Sequence, residues 1–204
     1  MTTLKIIGLA SSDFTSSISC LSFSKVDGGK QLVVVDEGND RWMSVWNWQT
    51  GYKSANAKCY GDLVFAAEFH PTDKNIIVTC GKQHIFFWNL DNAQHLTKRS
   101  GIFELYQNAI VTSGNGVPVP LSYKIEKPKY ILCISFGING EVISGDSEGN
   151  IIFWSPRDNK IIRLIKDAHE NGIFSILFLQ NQQNCDTSCS SGDSSESSNL
   201  FHFL

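Results

Sequence analysis

ILCISFGINGEVISGDSEGNIIFW, residues 131–154, is the stretch whose reading decides the fold. Ile131 to Phe136 is an apolar, partly β-branched run, and Gly137-Ile-Asn-Gly140 after it has turn composition. Val142 to Gly145 is a second apolar run, Asp146 to Asn150 a polar turn, and Ile151 to Trp154 a third run that closes on an aromatic. The same order of features recurs at Val64 to Trp88, VFAAEFHPTDKNIIVTCGKQHIFFW, more loosely at Ile18 to Trp46, and in decayed form at Ile173 to Phe201.

Working outward from each copy adds a fourth, more polar strand: near Ser54 to Tyr60, His95 to Phe103, and Ile161 to Lys166. Four short strands in about 40–45 residues, ending on Trp, is the pattern of a WD40-type β-propeller blade. The expectation is an all-β fold, a partial WD40-type propeller of about three and a half four-stranded blades: 14–60, 61–104, 126–167 and an incomplete 168–204. A lone strand at Thr3 to Leu9 precedes them.

The spacing is interrupted once. Phe23, Phe69, Phe136 and Phe178 mark the first strands, and the gap between Phe69 and Phe136 is about 20 residues longer than a blade needs. The excess falls on 107–125, which carries Ser113-Gly-Asn-Gly-Val-Pro-Val-Pro120. Gly, Asn and Pro in that density predict an exposed loop insertion. Residues 180–199, rich in Ser, Gln, Asn and Asp, predict a flexible loop. The string Ser-Gly-Asp-Ser occurs at 144–147 and again at 191–194, and aligning the two puts Phe201 in the place of Trp154.

Several residues fit the hydrogen-bond relay that resemblance to WD repeats implies. Ser144 stands ten residues before Trp154, Glu148 occupies the place of the usual Asp, and Ala168-His169 that of the usual Gly-His. Trp46, Trp88, Ser144, Glu148, Trp154 and His169 are therefore expected to be structural blade residues. Trp42, Trp46 and Trp48 are separated by even steps, which puts all three on one strand face; Trp46 is expected between blades, and an exposed member of the set would be a contact hot spot.

Composition limits the function. Of 204 residues 42% are hydrophobic, enough for a packed core, and the formal net charge is −3. Nucleic-acid binding is not expected, because it calls for a basic face. No signal sequence and no apolar run long enough to span a membrane stands in the chain. Of the six cysteines, Cys20, Cys80 and Cys133 sit in apolar strands and read as small hydrophobes rather than disulfide partners.

No catalytic or cofactor-binding motif is present. Asp146 and Glu148 lie in a turn, where capping suits them better than acid–base chemistry. His169 has no nucleophile placed beside it, and His70, before Pro71, reads as structural. Cys185 and Cys189 with His202 are one ligand short of a zinc site. The Asp186 to Ser198 run reads as a solvated linker, with phosphorylation the alternative. No cofactor and no metal are expected.

Beyond the generic blade pattern, the chain resembles the echinoderm microtubule-associated protein-like family from about residue 3 to 178. The residues that carry this are Ile6-Ile-Gly-Leu9, Cys20-Leu-Ser-Phe-Ser-Lys25, Val45-Trp-Asn-Trp48, Glu68-Phe-His-Pro-Thr-Asp73, Thr79-Cys-Gly-Lys82, His84-Ile-Phe-Phe-Trp88, Gly101-Ile-Phe103 and Glu126-Lys-Pro-Lys129. The resemblance implies part of the first of two fused propellers, in a non-catalytic module. It implies tubulin or microtubules as partner, other proteins on the propeller rims, and location on microtubules in the cytoplasm. The alternative is a generic WD40 scaffold, for example in a ciliary assembly, with no direct microtubule contact. The residues that would touch tubulin are not identified by the sequence. The family's basic region and second propeller have no counterpart in these residues, and full microtubule binding is expected to need that basic region. Three and a half blades cannot close a ring, so exposed sheet edges and a tendency to aggregate are expected.

Overall fold

The third copy of the repeat builds the best-formed blade, and its strands show why these residues take these positions. The computed structural model of the chain describes residues 16–59, 62–120, 125–179 and 200–203. In the third blade β10 (Ile131–Phe136), β11 (Val142–Asp146), β12 (Ile151–Trp154) and β13 (Lys160–Lys166) run antiparallel in sequence order. β11 and β12 are buried along their whole length, as central strands of a sheet covered on both faces must be. That is why they are apolar runs rather than alternating ones.

The first blade is β1 (Ile18–Phe23), β2 (Gln31–Asp36), β3 (Trp42–Asn47) and β4 (Tyr52–Lys58). The second is β5 (Val64–Phe69), β6 (Ile76–Gly81), β7 (His84–Leu90) and β8 (Leu96–Ser100). Each is a four-stranded antiparallel meander, and β2, β3, β6 and β7 repeat the burial of the central strands. The last sheet pairs β14 (Ile176–Leu179) with β15 (Leu200–Phe203). The first strands β1, β5, β10 and β14 lie side by side around the inner side of an open propeller.

One segment departs from the expected architecture. The loop insertion expected over 107–125 begins as strand: β9 (Ile102–Ser113) continues to Ser113. It lies parallel to β13 and makes the third blade five-stranded. The expected fourth strand of blade two, His95 to Phe103, is split accordingly. β8 stops at Ser100, and after Gly101 the chain crosses to the outer edge of the next blade. Only the end of the insertion keeps turn character. Gly116 N–H donates to the Ser113 carbonyl, and Thr112 bridges back to Pro118.

A second correction concerns the last sheet. β15 pairs directly with β14, so Phe201 stands opposite Phe178 in the second-strand place, not in the third-strand place of Trp154. The strand expected at 3–9, the Ser-rich 180–199 and the Cys185/Cys189 pair lie outside the described residues.

Blade-to-blade packing makes three cores. Val33, Val35, Met43, Val45 and Phe69 join blades one and two. Val78, Phe87, Ile134, Ile152 and Trp154 join two and three. Cys133, Ile143, Ile151 and Ile176 join three and four. Polar contacts fasten the same seams: His70 Nε2 lies 2.7 Å from the Gly140 carbonyl oxygen, and Lys98 Nζ donates to the Cys59 carbonyl at 2.9 Å.

Candidate functional site

Three of the tryptophans singled out in the sequence, Trp46, Trp88 and Trp154, each donate to a hydroxyl inside their own blade. The Trp154 indole is fully buried, and its Nε1–H donates to Ser144 Oγ at 2.9 Å. Phe103 meets its ring edge-on at 5.1 Å. In blade two, Trp88 Nε1–H donates to Thr79 Oγ1 at 3.0 Å. Thr79 is a residue the sequence reading did not pick out. Its signal was present: a hydroxyl residue in the second strand, nine residues before the closing Trp.

Blade one reaches the same bond by another route. Trp46 Nε1–H donates to Ser44 Oγ at 2.8 Å, within its own strand. Strand register explains this. Ser144 pairs with Ile152, Thr79 with Phe86, and Val34 with Ser44. The hydroxyl has moved across the pair from second strand to third, and the aliphatic has moved the other way. Ser44→Ala should therefore lower stability by about 1–2 kcal/mol, and adding Val34→Ser should recover most of that loss in urea melts. No recovery would show that the two positions are not exchangeable.

Trp46 is buried, but among the described residues it packs with Leu32, Val34 and Trp48 of its own blade and not at a seam between blades, whereas Trp42 and Trp48 are half-buried. Glu148 and His169 are not brought together into a relay; both side chains are exposed. His169 Nδ1 instead accepts from the backbone N–H of Asn171 at 3.1 Å. Partial burial, then the neighbouring Asp146, hold the Glu148 carboxyl above its ordinary value. The turn is organised by Asp146, only 1% exposed. Its Oδ1 accepts from Glu148 N–H at 2.8 Å and Asn150 N–H at 2.9 Å, and its Oδ2 from Asn150 Nδ2 at 2.9 Å.

The inner strands border a cleft of about 520 Å³ lined by Lys25, Glu68, Pro71, Phe136, Ile138 and Leu177. Burial raises the Glu68 carboxyl, and Lys25 partly offsets it. The cleft offers an apolar wall with one cation and one acid, which suits contact with a polypeptide. No nucleophile is held against a base there, and among the described residues no three metal-ligating side chains converge.

Cys20, Cys59, Cys80 and Cys133 are free thiols. Burial pushes Cys20 and Cys133 up to about 11 and Cys59 to about 12, and holds Cys80 well above its ordinary value. A thiol raised above its unfolded value of 9.0 supports folding below that pH and withdraws the support as pH climbs to its folded value. Stability should therefore fall between about pH 9 and 12. At pH 8 the peptides carrying the buried Cys59, Cys80 and Cys133 should stay unmodified by iodoacetamide until the fold is melted; rapid native labelling would contradict the burial.

Residues 1–200 match the model of the echinoderm microtubule-associated protein first beta-propeller. The chain belongs to this family. It is 43% identical over 180 residues to human echinoderm microtubule-associated protein-like 1, covering 88% of this chain and 19% of that protein. The chain thus spans about a fifth of the length of the curated relatives it matches.

Solved structures agree on the fold. The Myceliophteria thermophila Cps50 (Swd1) β-propeller domain superposes with a TM-score of 0.59 at 15% identity, over 78% of this chain and 47% of that one. The computationally designed Ika4 protein superposes at 0.56 and 21% identity, over 89% of both chains. Within this chain the blades keep the propeller meander while varying which strand supplies the hydroxyl for tryptophan.

Proposed function

We propose that this chain is a non-catalytic interaction module that binds tubulin or microtubules and serves microtubule organisation in the cytoplasm. Family membership carries the reading: the relatives are microtubule-associated by name, and the shared span is the propeller itself. A rigid stack of blades presenting loops and a channel-side cleft suits recognition of a protein surface.

A net charge of −3 favours a second reading. An acidic chain gains no electrostatic steering toward an acidic lattice, so a scaffold that meets other proteins through its rims is the alternative. Co-sedimentation of the chain with polymerised tubulin at low salt separates the two. Direct binding puts the chain in the pellet in a saturable way. Retention in the supernatant overturns direct binding and leaves the scaffold reading.

A further inference from the structure

The crossing of the chain from blade two to blade three leaves a small pocket at their seam. β8 ends at Ser100, and at Gly101 the chain turns off into β9. Gly101 N–H donates to the Ile85 carbonyl at 2.8 Å, and a Cβ at this position would lie 2.4 Å from Ile85 Cγ2. Glycine is what lets the backbone pass so close to β7. Beside it opens a pocket of about 120 Å³. His84 and Phe86 of β7, with ring centres 4.6 Å apart and nearly parallel, form one wall. Phe103 of β9 forms the other, and Ser100 and Lys127 complete the lining.

Positive charge prevails there. Lys127 is exposed, with Nζ 5.7 Å from the centre of the Phe103 ring. Among the described residues no carboxylate lies within ion-pair distance of it, whereas Lys58, Lys82 and Lys160 each have one. Asp62, the acid that acts on His84, is itself engaged by Lys82 at 2.9 Å. Burial first, and then Lys127 and Lys98, hold the His84 imidazole below its ordinary value, against the opposing Lys82 carbonyl and Asp62. Gln83 N–H donates to the Lys129 carbonyl at 3.0 Å, which ties the segment carrying Lys127 and the exposed Lys129 to the start of β7.

We propose that this pocket receives a glutamate side chain of an acidic partner polypeptide, with the carboxylate on Lys127 and the Ser100 hydroxyl and the two methylenes against Phe86 and Phe103. Apolar walls with a few polar groups at one end are what such a side chain needs. The volume admits one short side chain and is too small for a nucleotide or a sugar. A free small anion meets one cation and one hydroxyl at an open mouth, too little to hold it in water. An acidic segment adds a second contact at Lys129, two residues from Lys127. The pocket serves this role whichever protein carries the segment, so it neither needs nor decides microtubule binding.

Titration of the intact, isotope-labelled chain with an acetylated tetraglutamate peptide, followed by amide NMR shifts, tests this. The shifts should concentrate at Gln83, His84, Ser100 to Phe103 and Lys127, and a tetraglutamine peptide should produce none. Lys127→Glu should raise the Kd at least about 10-fold, and Lys127→Arg, which keeps the charge, should retain binding. Lys74→Glu makes the same charge change at an exposed position in the turn between β5 and β6, and should leave the Kd within about 2-fold of wild type. Lys127 and Lys74 are both exposed, so neither reversal should move the thermal melt. Equal losses in the two charge reversals overturn the proposal, because bulk charge then explains the binding. An equal response to tetraglutamine overturns it, as do shifts that spread away from the pocket. Displacement of the peptide by an equal concentration of inorganic phosphate also overturns it, since the pocket is then a site for small anions.

Discussion

Trp154→Ala lowers the unfolding free energy by about 3–5 kcal/mol, the largest effect expected of any single substitution in the chain. Small domains hold only about 5–15 kcal/mol in total, so the variant loses a large share of its stability. Trp154 is 0% exposed and belongs to the core shared by blades two and three. Its ring reaches Phe87 across the seam and Phe103 from the incoming β9. Truncation thus removes contacts on both sides and leaves Ser144 Oγ without its donor. Trp154→Phe keeps most of the ring and should cost about 1–3 kcal/mol, mainly the lost hydrogen bond. Urea midpoints measure both; a loss below about 1 kcal/mol for the alanine variant would mean that the seam repacks.

Asp146→Ala is second, at about 2–4 kcal/mol. Its buried carboxyl is the acceptor for two backbone N–H groups and one side-chain amide of the turn. Alanine leaves those donors stranded. The turn has no easy way to relax, because Gly149 sits at φ +82° and a Cβ there would lie 2.0 Å from the His169 carbonyl oxygen. Glu148→Ala, two residues away, should stay within about 0.5 kcal/mol of wild type. Hydrogen exchange locates the damage: the amides of Glu148 and Asn150 should lose protection in the Asp146 variant alone. Equal effects of the two substitutions would refute the assignment of the turn to Asp146.

That contrast marks where sequence reading stops. The blades were legible because their period, their aromatic closures and their turns all follow from burying a sheet on both faces. Ser144 and Trp154 were legible as a pair for the same reason. Asp146 and Glu148 were both visible as turn carboxylates, but which one turns inward depends on where β11 ends. β11 runs through Asp146, which keeps that residue at core depth. In blade one the Ser44–Trp46 bond was hidden because it depends on which residues face each other across β2 and β3.

β9 was missed because two signals conflicted. Gly and Pro at 114–120 marked a real turn, but Leu105, Ala109, Val111 and the β-branched Ile110 to Thr112 before them already had strand character. Its partner β13 follows about 50 residues later, beyond the reach of any local pattern.

That separation has a consequence for synthesis. The first two blades are chains of neighbouring hairpins, and each can form as it leaves the ribosome. β9 emerges before its partner: Ile102 pairs with Lys160, and Ser113 with Lys166. At about 5–20 residues per second, its backbone waits several seconds for β13, with Ala109 and Val111, buried in the finished fold, uncovered throughout. The third blade should thus be the slow, chaperone-dependent step in making this protein, and arrest of translation just short of Lys160 should yield the most protease-sensitive nascent chain.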